Sequence, residues 1–218
     1  MPAHMHGDDD LYSAILADRL EVAGRKDEKP VVQFEAEAWL GKTFQKLLLR
    51  TEGEVKDNRL HESENELLWT QSISPYWDLV AGLKYDAGEF AGRGYAAFGL
   101  KGLAPYWFES QATLYVGEQG IILLNAELEY DLLFTQRLIL SPRLEIAAQT
   151  QSEDDHGTMS GFTKAHYGLR LRYEIWRQFA PYIGIERQEL MGQTAQIARA
   201  SGSESGATDY VLGLRFWF

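Results

Sequence analysis

The sequence contains no cysteine, so no disulfide holds the chain together. That suits a cell-envelope protein without disulfides, but cytosolic proteins also lack cysteine, and the absence decides little. Long apolar runs are missing too. A spanning helix needs roughly 20 consecutive apolar residues, whereas apolar runs here, such as Gly120–Leu124 and Leu138–Leu140, are cut short, these two by Asn125 and Ser141. A transmembrane helix is therefore excluded. Basic residues are scarce: 21 Lys and Arg against 32 Asp and Glu give a net charge of −11. Phosphate binding needs clustered cations, which argues against a nucleic-acid partner, while the acidic balance is compatible with attracting cations. The opening Met1-Pro2-Ala3-His4 has neither the basic start nor the apolar stretch of a secretory signal.

What the sequence does have is a period of two. The 218 residues fit one domain. Val32, Phe34, Ala36 and Ala38 alternate with Gln33, Glu35 and Glu37, and Leu128 and Tyr130 with Glu127 and Glu129. Tyr167, Leu169, Leu171, Tyr173 and Ile175 alternate with His166, Gly168, Arg170, Arg172 and Glu174. The last segment places Tyr210, Leu212, Leu214, Phe216 and Phe218 on one face. Successive strand side chains point to opposite sides, so each such segment has one apolar and one polar face. Strands are expected near 14–22, 31–40, 43–52, 60–72, 75–86, 94–103, 106–117, 120–131, 135–149, 164–176, 180–189 and 208–218. Twelve is even, as single-chain bacterial barrels require.

The links alternate in length. Short ones fall around Gly41-Lys42, Ser74-Pro75, Ala104-Pro105, Leu132-Leu133 and Arg177-Gln178. Longer polar ones are expected at Ala23–Pro30, Gly53–Arg59, Ala87–Arg93, Thr150–Thr163 and Leu190–Ala207, with Gly117–Gly120 the short exception. Short periplasmic turns and longer outer loops are the asymmetry of outer-membrane barrels. All six tryptophans (Trp39, Trp69, Trp77, Trp107, Trp176 and Trp217) fall near the short turns or the C-terminus, as an interfacial aromatic girdle would. A soluble β-sandwich or lipocalin-like barrel is the competing fold; it would turn the apolar face inward and leave the turns without aromatic bias. The expected fold is thus all-β: a transmembrane antiparallel barrel of about twelve strands in the outer membrane of a Gram-negative cell, both termini periplasmic and lipid its surroundings.

In such a barrel the polar face lines the lumen. It receives Glu35, Glu37, Glu127, Glu129, His166, Arg170, Arg172 and Glu174, along with Asp78, Lys84, Glu109, Gln111, Asn125, Arg137, Arg143, Glu145, Glu186 and Arg215. Two readings stand: an interior braced by carboxylate–guanidinium pairs, or a cation path to which Glu35, Glu37, Glu127 and Glu129 contribute, since carboxylate rings select cations. His156 and Met159 lie in a polar loop where a solvated histidine is the default.

Segments 6–9, 18–21, 46–54, 73–79, 102–109, 127–133, 135–140, 168–175, 180–184 and 214–218 carry a family resemblance, among them Ile73-Ser74-Pro75-Tyr76-Trp77-Asp78-Leu79 and Leu214-Arg215-Phe216-Trp217-Phe218. In order, and over nearly the whole chain, they resemble the copper resistance protein B family of bacterial copper-resistance operons. The terminal Phe218 on an alternating strand resembles the signal read by the outer-membrane assembly machinery. The resemblance implies copper resistance, with copper as ligand, a barrel preceded by a Met- and His-rich periplasmic segment, and a periplasmic copper-handling protein as a partner. Residues 1–13 are then the residual leader and 14–218 the barrel. Within the leader His4, Met5 and His6 offer two imidazoles and a thioether; thioether sulfur suits copper(I) and imidazole either state, while the alternative is a leader with no site. The expected function is copper binding, copper passage across the outer membrane, or both. A general porin or solute channel is the alternative, and a lipid-modifying outer-membrane enzyme a further one. Catalysis is not expected, because no Ser/His pair shares an apolar face and no Gly-x-Ser-x-Gly elbow occurs.

Overall fold

The computed structural model describes residues 10–25, 29–88, 92–152 and 158–218. Twelve long strands follow in order: β1 Tyr12–Gly24, β2 Val31–Gly41, β3 Gln45–Lys56, β4 Arg59–Ser72, β5 Trp77–Gly88, β6 Arg93–Ala104, β7 Phe108–Gly117, β8 Ile122–Glu129, β9 Leu138–Gln149, β10 Gly161–Tyr173, β11 Phe179–Leu190 and β12 Gly206–Trp217. Each pairs antiparallel with its neighbours in sequence, and β12 pairs with β1, so the sheet closes. Closure removes the unpaired edges that a bilayer would not tolerate. An even strand number puts both chain ends at the rim that carries the short links, the periplasmic rim in outer-membrane barrels. No described helix is long and apolar enough to cross a membrane.

The alternation expected from sequence is the alternation seen. Leu83, Ile183 and Leu212 point outward with 60–63% of their surface exposed, whereas Glu66, Lys84, Glu21 and Arg170 on the opposite parity are buried. A surface this apolar on a water-soluble monomer would be anomalous; facing hydrocarbon it is what the solvent demands.

Four expectations need correction. The polar link at Gly53–Arg59 is not a loop. β3 runs to Lys56 and β4 restarts at Arg59, joined by Asp57 and Asn58 with φ of 49° and 64°. That pair of left-handed residues is the tight hairpin turn that Asp and Asn tolerate. Leu132-Leu133 is not a turn either. The two residues form a short strand against Ile139 and Leu140, and the turn follows at 134–137. Opposite the gap between Glu129 and Leu132 stands Pro142, which has no N–H to give the ladder. Between β11 and β12 an Ala-rich segment forms α1, Gly192–Ala200, where a polar loop was expected. Its Thr194 and Ala195 are buried at the long-loop rim, and Thr194 Oγ1 accepts a hydrogen bond from the Met159 N–H at 3.0 Å.

The fourth correction concerns the lumen, which is not polar all round. Leu48, Leu68, Val80, Tyr95, Ala97, Tyr115 and Ile121 form an apolar cluster, Leu68 being only 1% exposed. They lie on the inward parity of β3 to β7 and the turn that follows, and Trp39 packs against them. Trp39 therefore faces inward, its ring 4.7 Å from Lys46 Nζ, and is not part of the outer girdle. Trp69, Trp107, Trp176 and Trp217 are exposed around the short-link rim.

Candidate functional site

Alongside the apolar cluster of β3–β7, charged groups from all round the barrel meet in the interior. A bulge in β1 starts the arrangement. Ala17 pairs with Ala36 and Arg19 with Glu35, skipping Asp18, and on the other side Ala17 and Leu20 pair with Phe216 and Leu214. The extra residue places both Asp18 and Arg19 inside, as bulges do when they re-aim a side chain.

At mid-height Arg19 Nε donates to Glu35 Oε2 at 2.6 Å, and its Nη2 donates to Glu52 Oε1 at 3.4 Å. Arg143 of β9 reaches the same Glu35 oxygen from Nη1 at 3.1 Å. Its Nε lies 2.7 Å from Glu127 Oε1, and its Nη2 4.0 Å from Glu145 Oε2. β9 and β2 stand five places apart around the twelve-strand ring, so the Arg143–Glu35 contact spans the lumen. Arg50 makes a parallel bridge, donating to Glu66 at 3.2 Å, Glu37 at 3.3 Å and Gln111 at 3.0 Å. Lys101 Nζ donates to Glu37 at 3.2 Å, and the Tyr115 hydroxyl to Glu66 at 2.5 Å. Charge-assisted bonds of this kind are the strong ones.

A second cluster lies on β1, β10 and β11. Glu21, 1% exposed, accepts from Arg170 at 2.8 and 3.2 Å and from the Tyr182 hydroxyl at 2.9 Å. Arg170 also pairs with Glu186, whose other oxygen is 3.3 Å from His166 Nε2. Arg172 donates to Asp131 at 2.6 Å, and Ser141 donates to the other Asp131 oxygen at 2.5 Å. Arg215 Nε lies 2.7 Å from Asp18.

These bridges divide the interior. Toward the short-link rim lies a space of about 780 Å³, counting the solvent that opens onto it, bordered by Glu37, Lys101, Glu109, Glu129, Asp131 and Arg215 among others. Toward the long-loop rim a space of about 740 Å³ is bordered by Glu52, Glu54, Glu62, Glu64, Lys164 and His166. Between them are two smaller spaces. One of about 470 Å³ lies by Glu35, Arg50, Tyr115, Glu127 and Arg143; one of about 360 Å³ lies by Arg19, Arg143, Arg170, Arg172, Tyr182 and Arg215. Each outer vestibule carries more carboxylates than cations along its wall, a setting that draws positive ions in. Among the described residues no group of three or more His, Cys, Asp or Glu is placed to hold a metal ion; arginines separate the carboxylates instead.

The structure brings Glu35, Glu127 and Arg143 together, while Glu37 is joined through Arg50 to Glu66 and Gln111. It places Glu129 on the short-link vestibule and joins His166, Arg170 and Glu186 in the second cluster. Glu174 and Arg137 lie in the short links, where the Glu174 N–H donates to the Arg137 carbonyl at 2.8 Å. His4, Met5, His6 and His156 lie outside the described residues. Sequence reasoning had not singled out Glu52, Glu64, Glu66, Arg50 or Tyr115 as lumen residues. Glu62, Glu64 and Glu66 stand at period two and carried a readable signal; Arg19 and Asp18, placed by the bulge, carried none.

A family model described as "Copper resistance protein B precursor (CopB)" matches residues 11–218. The chain is 37% identical over its whole length to Copper resistance protein B of Escherichia coli, of which it spans 73%. It is 37% identical over 215 residues to the Copper resistance protein B homolog of Pseudomonas syringae pv. tomato, again spanning 73% of that protein. Among solved structures the fold is similar to the KdgM porin (TM-score 0.58, 10% identity, 94% of this chain and 99% of that one) and the NanC porin (TM-score 0.57, 10% identity, with the same coverage).

Proposed function

The chain belongs to the copper resistance protein B family and is an outer-membrane barrel with a role in copper resistance, and from this premise we propose that its lumen is a copper route rather than a copper store. One observation carries the reading: two carboxylate-rich vestibules face each other across a pinched, ion-paired midsection, with no chelating cluster among the described residues. A store needs several donors converging on one ion. A route needs sites that attract a cation and release it. The lumen offers carboxylate oxygens and the His166 imidazole, donors that suit copper(II); thioether sulfur, which suits copper(I), stands at Met5 beside His4 and His6. We assign those three residues to loading copper at the periplasmic rim, where a periplasmic copper-handling protein would meet the barrel. The barrel itself is read as non-enzymatic, supported by its porin-like neighbours and by copper-resistance relatives.

A second reading has an observation of its own. Five arginines (Arg19, Arg143, Arg170, Arg172 and Arg215) border the 360 Å³ space, which favours a channel for anionic solutes. One of the similar folds, the KdgM porin, has been solved with oligogalacturonate. Proteoliposome flux separates the two. The copper reading expects copper entry above protein-free vesicles, exceeding chloride and acidic-sugar entry, and slowed when His4, Met5 and His6 become Ala. Copper entry no faster than in empty vesicles rejects a copper route; acidic-sugar entry exceeding copper establishes the solute channel.

A further inference from the structure

Three side chains stand where the spaces of the lumen meet. Glu35 borders both the short-link vestibule and the 470 Å³ space. Arg143 borders that space and the arginine-lined one. Arg19 borders the arginine-lined space and the long-loop vestibule. Arg19 and Arg143 are joined through Glu35, both guanidinium groups donating to its Oε2. Beside them the Arg50 bridge to Glu37, Glu66 and Gln111 and the buried Leu48, Leu68, Val80 and Tyr115 occupy the β3–β7 side of the lumen, an apolar wall that cannot part without losing buried contacts. Through the 470 Å³ space a path between the vestibules runs past Glu35 and Arg143; through the arginine-lined space it runs past Arg143 and Arg19.

We propose that Arg143 and Arg19, latched on Glu35, form the charge gate of the lumen, closing it at mid-height and setting which ions cross. The inference rests on reading the lumen as an ion route. A guanidinium stays protonated throughout the physiological range, so the two arginines act as tethered cations already seated on the carboxylates that a travelling cation would use. Passage is an exchange: the incoming ion takes the place of Arg143 on Glu35 and Glu127, and the arginine swings toward Glu145, 4.0 Å away. A doubly charged ion competes for that seat better than a singly charged one. Opposite neutralisations then have opposite signatures. Removing an arginine's charge deepens the negative potential at the pinch; removing the Glu35 charge frees two positive groups.

The test is conductance and reversal potential in planar bilayers under a potassium chloride gradient. Arg143→Gln should raise conductance at least tenfold and shift permeability toward potassium. Glu35→Gln should also raise it, with permeability shifted toward chloride. Arg143→Lys, which keeps the charge, should retain wild-type selectivity, and Arg187→Gln at the rim should change nothing. Arg187 pairs with the neighbouring Glu189 and lies away from the gate. Heat-modifiable gel mobility confirms that each variant is a folded barrel. If folded Arg143→Gln and Glu35→Gln conduct as the wild type does, with unchanged selectivity, and the wild type passes ions, the gate is wrong and the route survives. If wild type, Arg143→Gln and the Arg19→Gln/Arg143→Gln double variant are all silent while folded, both the gate and the ion route fall.

Discussion

Arg170→Met tests whether the ion pairs at the β1–β10–β11 wall hold the barrel together. Arg170 is the shared cation of Glu21 and Glu186, whose side chains are 0% and 5% exposed, and it is 9% exposed itself. Removing it leaves Glu21 with the Tyr182 hydroxyl and Glu186 with His166, a poor substitute for two full positive contacts. Breaking a buried pair by deleting one partner costs about 3–5 kcal/mol, and about 1.4 kcal/mol is a factor of ten. The folded-to-unfolded ratio should therefore fall by roughly two to three and a half orders of magnitude. The double variant Glu21→Gln/Arg170→Met removes the stranded charge and keeps an acceptor for Tyr182, so it should be more stable than Arg170→Met alone, with a coupling of about 0.5–3 kcal/mol. Reversible urea unfolding in lipid vesicles, followed by tryptophan fluorescence, measures all four corners of the cycle. A loss below about 0.5 kcal/mol for Arg170→Met, or a double variant no better than the sum of the singles, refutes the reasoning.

Three further outcomes rest on single contacts and positions in the barrel. Tyr115→Phe deletes the donor at 2.5 Å from the buried Glu66 while leaving Arg50 at 3.2 Å, and should cost about 1–3 kcal/mol in the same unfolding assay. In the Asp57-Asn58 turn, where both φ are positive, Asn58→Gly should be neutral to slightly stabilising and Asn58→Val destabilising by about 1–2 kcal/mol, read as shifts of the urea midpoint. Leu212→Arg, on the outward face at 63% exposure, should cost about 2–4 kcal/mol in a bilayer if the residue lies near its midplane. A comparably exposed position on a water-facing surface would register only about 0.5 kcal/mol either way.

The strands were legible because their period-two pattern is imposed by two unlike solvents, and twelve of them could be counted without any contact information. The pattern failed where both faces are apolar. Leu47-Leu48-Leu49 and Leu67-Leu68-Trp69 read as uniform runs, so nothing in sequence said that Leu48 and Leu68 turn inward to build a wall with Tyr115. Trp39 misled for the complementary reason: its place near a turn suggested the girdle, but its strand parity aims it inside. Individual carboxylates such as Glu35 and Glu127 followed from alternation alone. Their shared arginines did not, since Arg143 meets Glu35 across 108 residues of sequence, and Arg19 points inward only after a bulge that local residue preferences do not announce. The two-residue turn at Asp57-Asn58 was hidden by its charged surroundings, which resemble a loop; register with β4 extends β3 past them.

The absence of cysteine makes one measurement unusually direct, because a single introduced thiol is the only reactive one. Glu127→Cys places it beside Arg143 on the inner wall, and Leu83→Cys places it on the outer one. In proteoliposomes treated with a water-soluble, positively charged thiol reagent, Glu127→Cys should be modified and its copper entry sharply reduced. Leu83→Cys should resist the reagent and carry copper as before. Full modification at Glu127→Cys with copper entry unchanged would contradict a route through the lumen.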